Sequence, residues 1–126
     1  MIKIKLNDVV NSTDTFTKIM QQSFKGSLAF KIARLARELD KEMQTFNSER
    51  QKIIEKYGEK DNDGKVITDD KGMVKFDNNK IQELNDEFNT LLDTEIEINA
   101  DKLPMDNIDD FEITPQEMLN IEIFFE

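Results

Sequence analysis

The side chains in this chain with the densest chemical potential are carboxylates. Asp101, Asp106, Asp109, Asp110 and Glu112 crowd residues 101–112, with Glu117 shortly after. Such a cluster can supply oxygen ligands to Mg²⁺ or Mn²⁺ in a hydrolase or nuclease. It can equally be a solvated loop, or a surface whose charge density imitates a nucleic-acid backbone for a protein that binds one. Lys102 is the only base nearby in sequence to balance a phosphate substrate, which weighs against the hydrolase. A second run, residues 59–70, places acids at positions one, three, five and twelve of a calcium-loop frame, with Gly64 at six and Val66 at eight. Two departures count against it: position one is Glu59, and position twelve is Asp70, too short for the usual bidentate reach. A strand-like pattern follows where a second helix belongs, so an Asp-Gly turn is the better reading. The chain has no Cys and no His, which removes disulfides, thiolate and imidazole metal sites and imidazole acid-base catalysis. No catalytic residue, metal site or cofactor is assigned, and a non-enzyme is expected.

Charge is distributed unevenly. Residues 1–58 carry eleven Lys/Arg against seven Asp/Glu, a balance of +4, and residues 59–92 carry five against nine, a balance of −4. Residues 93–126 carry one against eleven, so the full net charge of −10 equals that of the last segment alone. Lys31, Arg34, Arg37 and Lys41 make the start of the long helix described next basic. Acidic tail and basic helix either neutralise each other within the fold or leave an acidic face exposed to a basic partner.

The elements that must hold these groups are legible from periodicity. Residues 27–57 contain neither Gly nor Pro and repeat apolar residues at Leu28, Ile32, Leu35, Leu39, Met43, Phe46, Ile53 and Tyr57, the seam of a long amphipathic helix. Ser27 is its expected N-cap, and Gly58 is expected to end it in a left-handed conformation. Ile2, Ile4 and Leu6 alternate with Lys3 and Lys5 as a half-buried strand. A short helix follows, capped by Asn7 and carrying Val9, Thr13, Phe16 and Met20. Residues 65–68 and 73–76 flank a turn and read as a β-hairpin at the tip of the long helix. Asn78 or Asn79 then caps a helix with Ile81, Leu84, Phe88 and Leu91 on one face, which most simply runs back antiparallel on the long one. Residues 95–99 alternate as a strand whose glutamates match Lys3 and Lys5 across a pair. Residues 100–111 read as an acidic loop. Thr114, Pro115 and Glu117 form a capping box with Pro at the first helical position, and the helix they start is apolar nearly all round through Phe124 and Phe125.

The fold class is therefore α+β, mainly α. It is a long antiparallel helical hairpin with a β-hairpin at its tip, plus a small sheet of the N-terminal and 95–99 strands, in a single domain of residues 1–126. The hairpin partner covers only half of the long helix. Leu28, Ile32, Leu35 and Leu39 are thus expected to be covered by the first short helix, by the C-terminal segment or by a second subunit, with Phe124 and Phe125 as further docking contacts, and a homodimer follows from the last alternative. The N-terminus alternates charge where a signal peptide would have a continuous apolar run, and an intracellular, non-membrane protein is expected.

Residues 53–61, the Asp/Gly-rich hairpin, Leu91-Leu92 ahead of Glu95-Ile96-Glu97-Ile98, and Ile113-Thr114-Pro115-Gln116-Glu117 occur in an order that carries a resemblance. The chain resembles a family of short proteins of tailed bacteriophages and prophages built on a domain of unknown function. That resemblance implies a phage product in the cytoplasm of a bacterial host, or alternatively in the virion, and brings no catalytic residues. Two expectations follow. One is a protein-binding accessory factor that inhibits a host or anti-phage defence protein, for instance by nucleic-acid mimicry in the manner of an anti-CRISPR protein. Its surface would be Asp101, Asp106, Asp109, Asp110, Glu112 and Glu117, its partner a protein and not nucleic acid itself. The other is a structural or assembly protein of the phage particle, with the helix seam and Phe124-Phe125 as its contacts.

Overall fold

The computed structural model describes every residue from Met1 to Glu126. Strand β1 (Ile2–Lys5) buries Ile2 and Ile4 and exposes Lys3 and Lys5, the alternation its period demands. It runs without a loop into α1 (Leu6–Ile19). The Asp8 carboxylate accepts the Lys5 backbone N–H at 2.9 Å, so an acid in the first turn closes the helix start and Asn7 lies inside the helix instead of capping it. That earlier start resets the buried stripe to Leu6, Val9, Ser12, Thr15, Phe16 and Ile19, and leaves Met20 exposed. Ser12 is tolerated there because its hydroxyl donates to the Val9 carbonyl at 2.8 Å. Strand β2 (Glu95–Ile98) pairs antiparallel with β1, Lys3 opposite Glu97 and Lys5 opposite Glu95, the expected charge match. The architecture is α+β, mainly α, with a two-stranded antiparallel sheet.

Helix α2 (Gly26–Tyr57) begins two residues earlier than the Ser27 cap implies. It contributes to two compact units, one formed by Met1–Met43 with Thr94–Glu126 and the other by Gln44–Asp93.

The first unit holds seventeen of the twenty buried hydrophobic residues, so the bulk of the apolar core is here. Leu28, Ile32, Leu35 and Leu39 are all buried within it, as are Phe124 and Phe125. The seam is therefore covered within the chain itself, in the unit that holds both the first short helix and the C-terminal segment. Helix α4 (Pro115–Ile121) starts from the anticipated capping box: the Thr114 hydroxyl accepts from Glu117 N–H at 3.2 Å, and the Glu117 carboxylate accepts from Thr114 N–H at 2.8 Å. The chain then tightens into a 3₁₀ turn, Glu122–Phe124, where the all-round apolar pattern suggested more α-helix. Phe125 bridges in parallel to Leu103, with Leu103 N–H donating to Phe124 C=O at 2.8 Å and Glu126 N–H to Leu103 C=O at 3.0 Å. Ring pairs Phe16–Phe124, Phe24–Phe111 and Phe111–Phe125, with centroids 4.9 to 5.4 Å apart, tie the break before α2 and the segment after β2 to this end.

The second unit buries only Phe46, Tyr57 and Leu84 of its large apolar side chains. Helix α3 (Ile81–Leu92) folds back on the end of α2, where Lys56 Nζ and Tyr57 OH both donate to Glu87 Oε1, at 2.6 and 2.7 Å. Those bonds hold the Glu87 carboxyl below its usual range, Lys56 first, and raise the Tyr57 hydroxyl. The expected hairpin turn is present, with Thr68 bridging Val74, and that bridge is one of three. Lys60 bridges Val66, and Gly58 bridges Phe76. Backbone bonds run in a ring: Glu59 N–H to Lys75 C=O at 2.8 Å, Lys75 N–H to Ile67 C=O at 3.0 Å, and Ile67 N–H to Glu59 C=O at 2.8 Å. Three short extended segments thus close on one another with pseudo-threefold symmetry.

An eight-residue repeat underlies that ring. Asp61, Asp69 and Asp77 head successive turns. Asp61 Oδ1 accepts from the amides of Asp63 and Lys65, and Asp69 Oδ1 from those of Lys71 and Met73, at 2.9 to 3.0 Å. Gly64 and Gly72 follow with φ near +80°, a conformation that favours glycine. In the third copy Asp77 Oδ1 accepts from Asn79 N–H at 2.9 Å and caps the 3₁₀ turn that leads into α3, so Asp77 does the work expected of Asn78 or Asn79. Gly58 does not take the left-handed conformation. It is required for close approach: a Cβ there would meet Ile54 O at 2.9 Å and methyls of Val74 and Val66 at 3.0 and 3.1 Å.

Candidate functional site

The acidic segment is held by alternation between buried anchors and outward acids. Ala100, Leu103 and Phe111 are buried, while Asp101, Asp106, Asp109, Asp110 and Glu112 are exposed. The predicted loop contains a 3₁₀ helix, Met105–Asp110, entered from Pro104 and closed by Phe111 N–H donating to Ile108 C=O at 3.1 Å. Both ends are tied down. At one end Leu103 is bonded into the C-terminal bridge, and Met105 N–H donates to Glu126 C=O at 3.2 Å. At the other, the Gln22 carboxamide clamps the Glu112 backbone, donating to its carbonyl at 2.9 Å and accepting its N–H at 3.0 Å. The carboxylates therefore stand on a backbone that is hydrogen-bonded to the rest of the unit near both of its ends.

None of these five carboxylates is in an ion pair. Other acids of the C-terminal segment are paired, Glu97 with Lys3 at 3.8 Å and Glu117 with Lys18 at 2.8 Å. Asp110 accepts only a long bond, 3.3 Å, from the Asn107 amide. Nor do the acids gather as a cation site: nowhere in the chain do three His, Cys, Asp or Glu side chains form a group that could hold a metal ion. In residues 59–70 the carboxylates of Asp61 and Asp69 are turned onto their own backbone amides, which is the Asp-Gly turn.

Glu117 differs from the others. Half-buried, it bonds Lys18 across the α1–α4 contact and caps α4. The Lys18 ammonium, and then the Thr114 amide, hold its carboxyl below the ordinary glutamate range. Its chemistry is spent inside the fold, so of the six acids chosen from sequence it is the one that does not belong to the exposed surface. Leu28, Ile32, Leu35, Leu39, Phe124 and Phe125 are interior and likewise offer no free contact face.

The basic side chains of α2 do not neutralise the acids. Lys31, Arg34, Arg37 and Lys41 are exposed, and Lys41 pairs with Glu38 on its own helix at 2.9 Å. Lys31 lines one groove with Asp101, Lys102, Asp106 and Glu126. What the sequence did not reveal is Gln22 as the clamp on the segment: a lone glutamine ninety positions away carries no periodic signal.

Comparison with known proteins places the chain. The family described as DUF1617, proteins of unknown function, matches residues 2–123. The chain belongs to the DUF1617 family. No curated protein and no solved structure matches it. The matched span covers both strands, all four α-helices and the whole acidic segment, so the surface described above lies within the DUF1617 domain. No helix is long and apolar enough to cross a membrane.

Proposed function

We propose that this DUF1617 protein is a non-enzymatic, protein-binding accessory factor of a bacteriophage or prophage, acting in the host cytoplasm. Asp101, Asp106, Asp109, Asp110 and Glu112 engage a basic surface on a bacterial host or defence protein, the kind of surface that otherwise meets nucleic-acid phosphates. The observation that carries this reading is that five exposed carboxylates without cationic partners sit on a backbone tied at both ends. The phage context rests on the resemblance in residues 53–61, 91–98 and 113–117.

The competing role, a structural or assembly protein of the particle, would use the helix seam and Phe124-Phe125. Those side chains are core, and that role is left without the contact surface assigned to it.

Affinity capture from infected bacterial lysate, comparing wild type with the D106N/D109N/D110N/E112Q variant, tests the proposal. A protein captured by wild type, released as salt rises from about 0.1 M to about 1 M, and not captured by the variant supports it. Capture indifferent to both salt and the four substitutions overturns it.

A further inference from the structure

The outward face of α2 is unlike the rest of the first unit. Phe30, Arg34, Arg37 and Lys41 recur at steps of four, three and four, so they form one stripe along the helix. Two residues on from Leu28 is about 200° around the axis, which sets this stripe opposite the buried seam. All four side chains are exposed, Phe30 to 69 %, and neither arginine is in an ion pair with any carboxylate of the chain. The stripe is about 16 Å long at 1.5 Å per residue, with Lys31 on its flank.

We propose that this cationic, phenylalanine-bearing stripe docks on the acidic 101–112 segment of a second copy of the same chain, in a two-fold symmetric dimer. Three observations choose this occupant. The chain itself presents an exposed, unneutralised surface of opposite sign. The two patches adjoin, since Lys31, next to Phe30, lines one groove with Asp101 and Asp106. Adjacent patches of opposite sign are what an isologous contact needs, because a two-fold axis passing near Lys31 sets stripe against acids twice over. Each patch also carries an apolar side chain: Phe30 on the stripe and Met105, exposed to 42 %, on the acidic segment, a pairing of thioether with aromatic ring. A nucleic-acid ligand fits less well, because the whole chain carries −10 and would repel it, whereas nucleic-acid-binding domains carry a basic excess.

The proposal is separate from the heterologous partner above, although the two contacts compete for the same acids. It is tested on purified full-length protein with no lysate present. Sedimentation equilibrium at about 0.1 M salt, where charges are screened beyond about 10 Å but contacting pairs are not, is expected to show a dimer. The association constant falls at least tenfold, roughly, at about 1 M salt. Two charge reversals, R34E/R37E and D109K/D110K, each give a monomer. Mixed one to one they dimerise again, because every contact in the mixed pair joins opposite charges. Wild type that is monomeric at low salt overturns the proposal, as does a dimer that survives either reversal or a mixture that fails to associate. Far-UV circular dichroism checks that both variants are folded; if one is not, Phe30→Ser, which removes an exposed ring and leaves the core intact, replaces it and must weaken the dimer.

Discussion

The two units of this chain are stabilised by different physics. The first, Met1–Met43 with Thr94–Glu126, gathers most of the buried apolar side chains and joins segments far apart in sequence: β1 with β2, Phe16 with Phe124, Gln22 with Glu112. The second, Gln44–Asp93, buries three large apolar side chains and builds its irregular part from bonds within an eight-residue repeat. Burial scales with apolar area, and a turn's side-chain-to-backbone bonds contribute about 1 kcal/mol each. The first unit is therefore a core that selects its partners at long range, and the ring in the second is a local construction that each copy of the repeat half specifies by itself. The acidic segment is anchored on the first kind.

Substitutions can break or sharpen this contrast. The largest effect is expected at Phe124, fully buried and in edge contact with Phe16: Phe124→Ala should cost about 3–5 kcal/mol. Denaturant unfolding measures the loss, and hydrogen exchange should place it in the first unit, with the amides of Glu59, Ile67 and Lys75 staying protected. Equal loss of protection in both would mean that the two differ in composition but not in independence. Gly58→Val comes next. Its side chain would be driven against a backbone carbonyl and two valines, costing about 1–3 kcal/mol by overpacking, and the same three amides are the ones that should open. Asp69→Ala removes the acceptor of two amides on an exposed turn and should cost about 1 kcal/mol; an effect as large as that at Gly58 would show that the turns carry more of the ring than its centre does. The smallest effect is expected from Glu117→Gln. Its carboxyl titrates below the ordinary range when folded. The contribution of the Lys18 pair is thus complete above the unfolded glutamate pKa of about 4.3 and is lost as pH falls through the lower folded value. Wild-type stability should drop over that acid interval more than the variant's does, in parallel acid titrations followed by circular dichroism.

Much of this was legible in the residues themselves. The seam of α2, the β1–β2 pairing with its Lys–Glu match and the Thr114 capping box each rest on a short-range pattern with one reading, and each is present. The errors fall where a distant partner or a neighbouring acid decides. Asp8 moved the start of α1, and the bridge from Leu103 to Phe125 ended α4 early. Gly58 was rightly marked as special, but it serves close approach of two valines and not a left-handed turn, a distinction visible only once Val66 and Val74 converge on it. The acids were legible as a cluster, and all but Glu117 are exposed. Which of them is internal depended on Lys18, ninety-nine residues from Glu117, and no local pattern carries that.

The closed ring in the second unit also limits how this sequence can change in length. Because each extended segment bridges the next and the third returns to the first, the number of copies is part of the structure. Loss of one copy in a replication slip would leave two segments with nothing to close against, and gain of one would open the ring and expose a free strand edge. Length drift of the kind that open, stacked repeats absorb is therefore closed to this stretch, and variation should accumulate as substitutions at the turn positions between Asp and Gly.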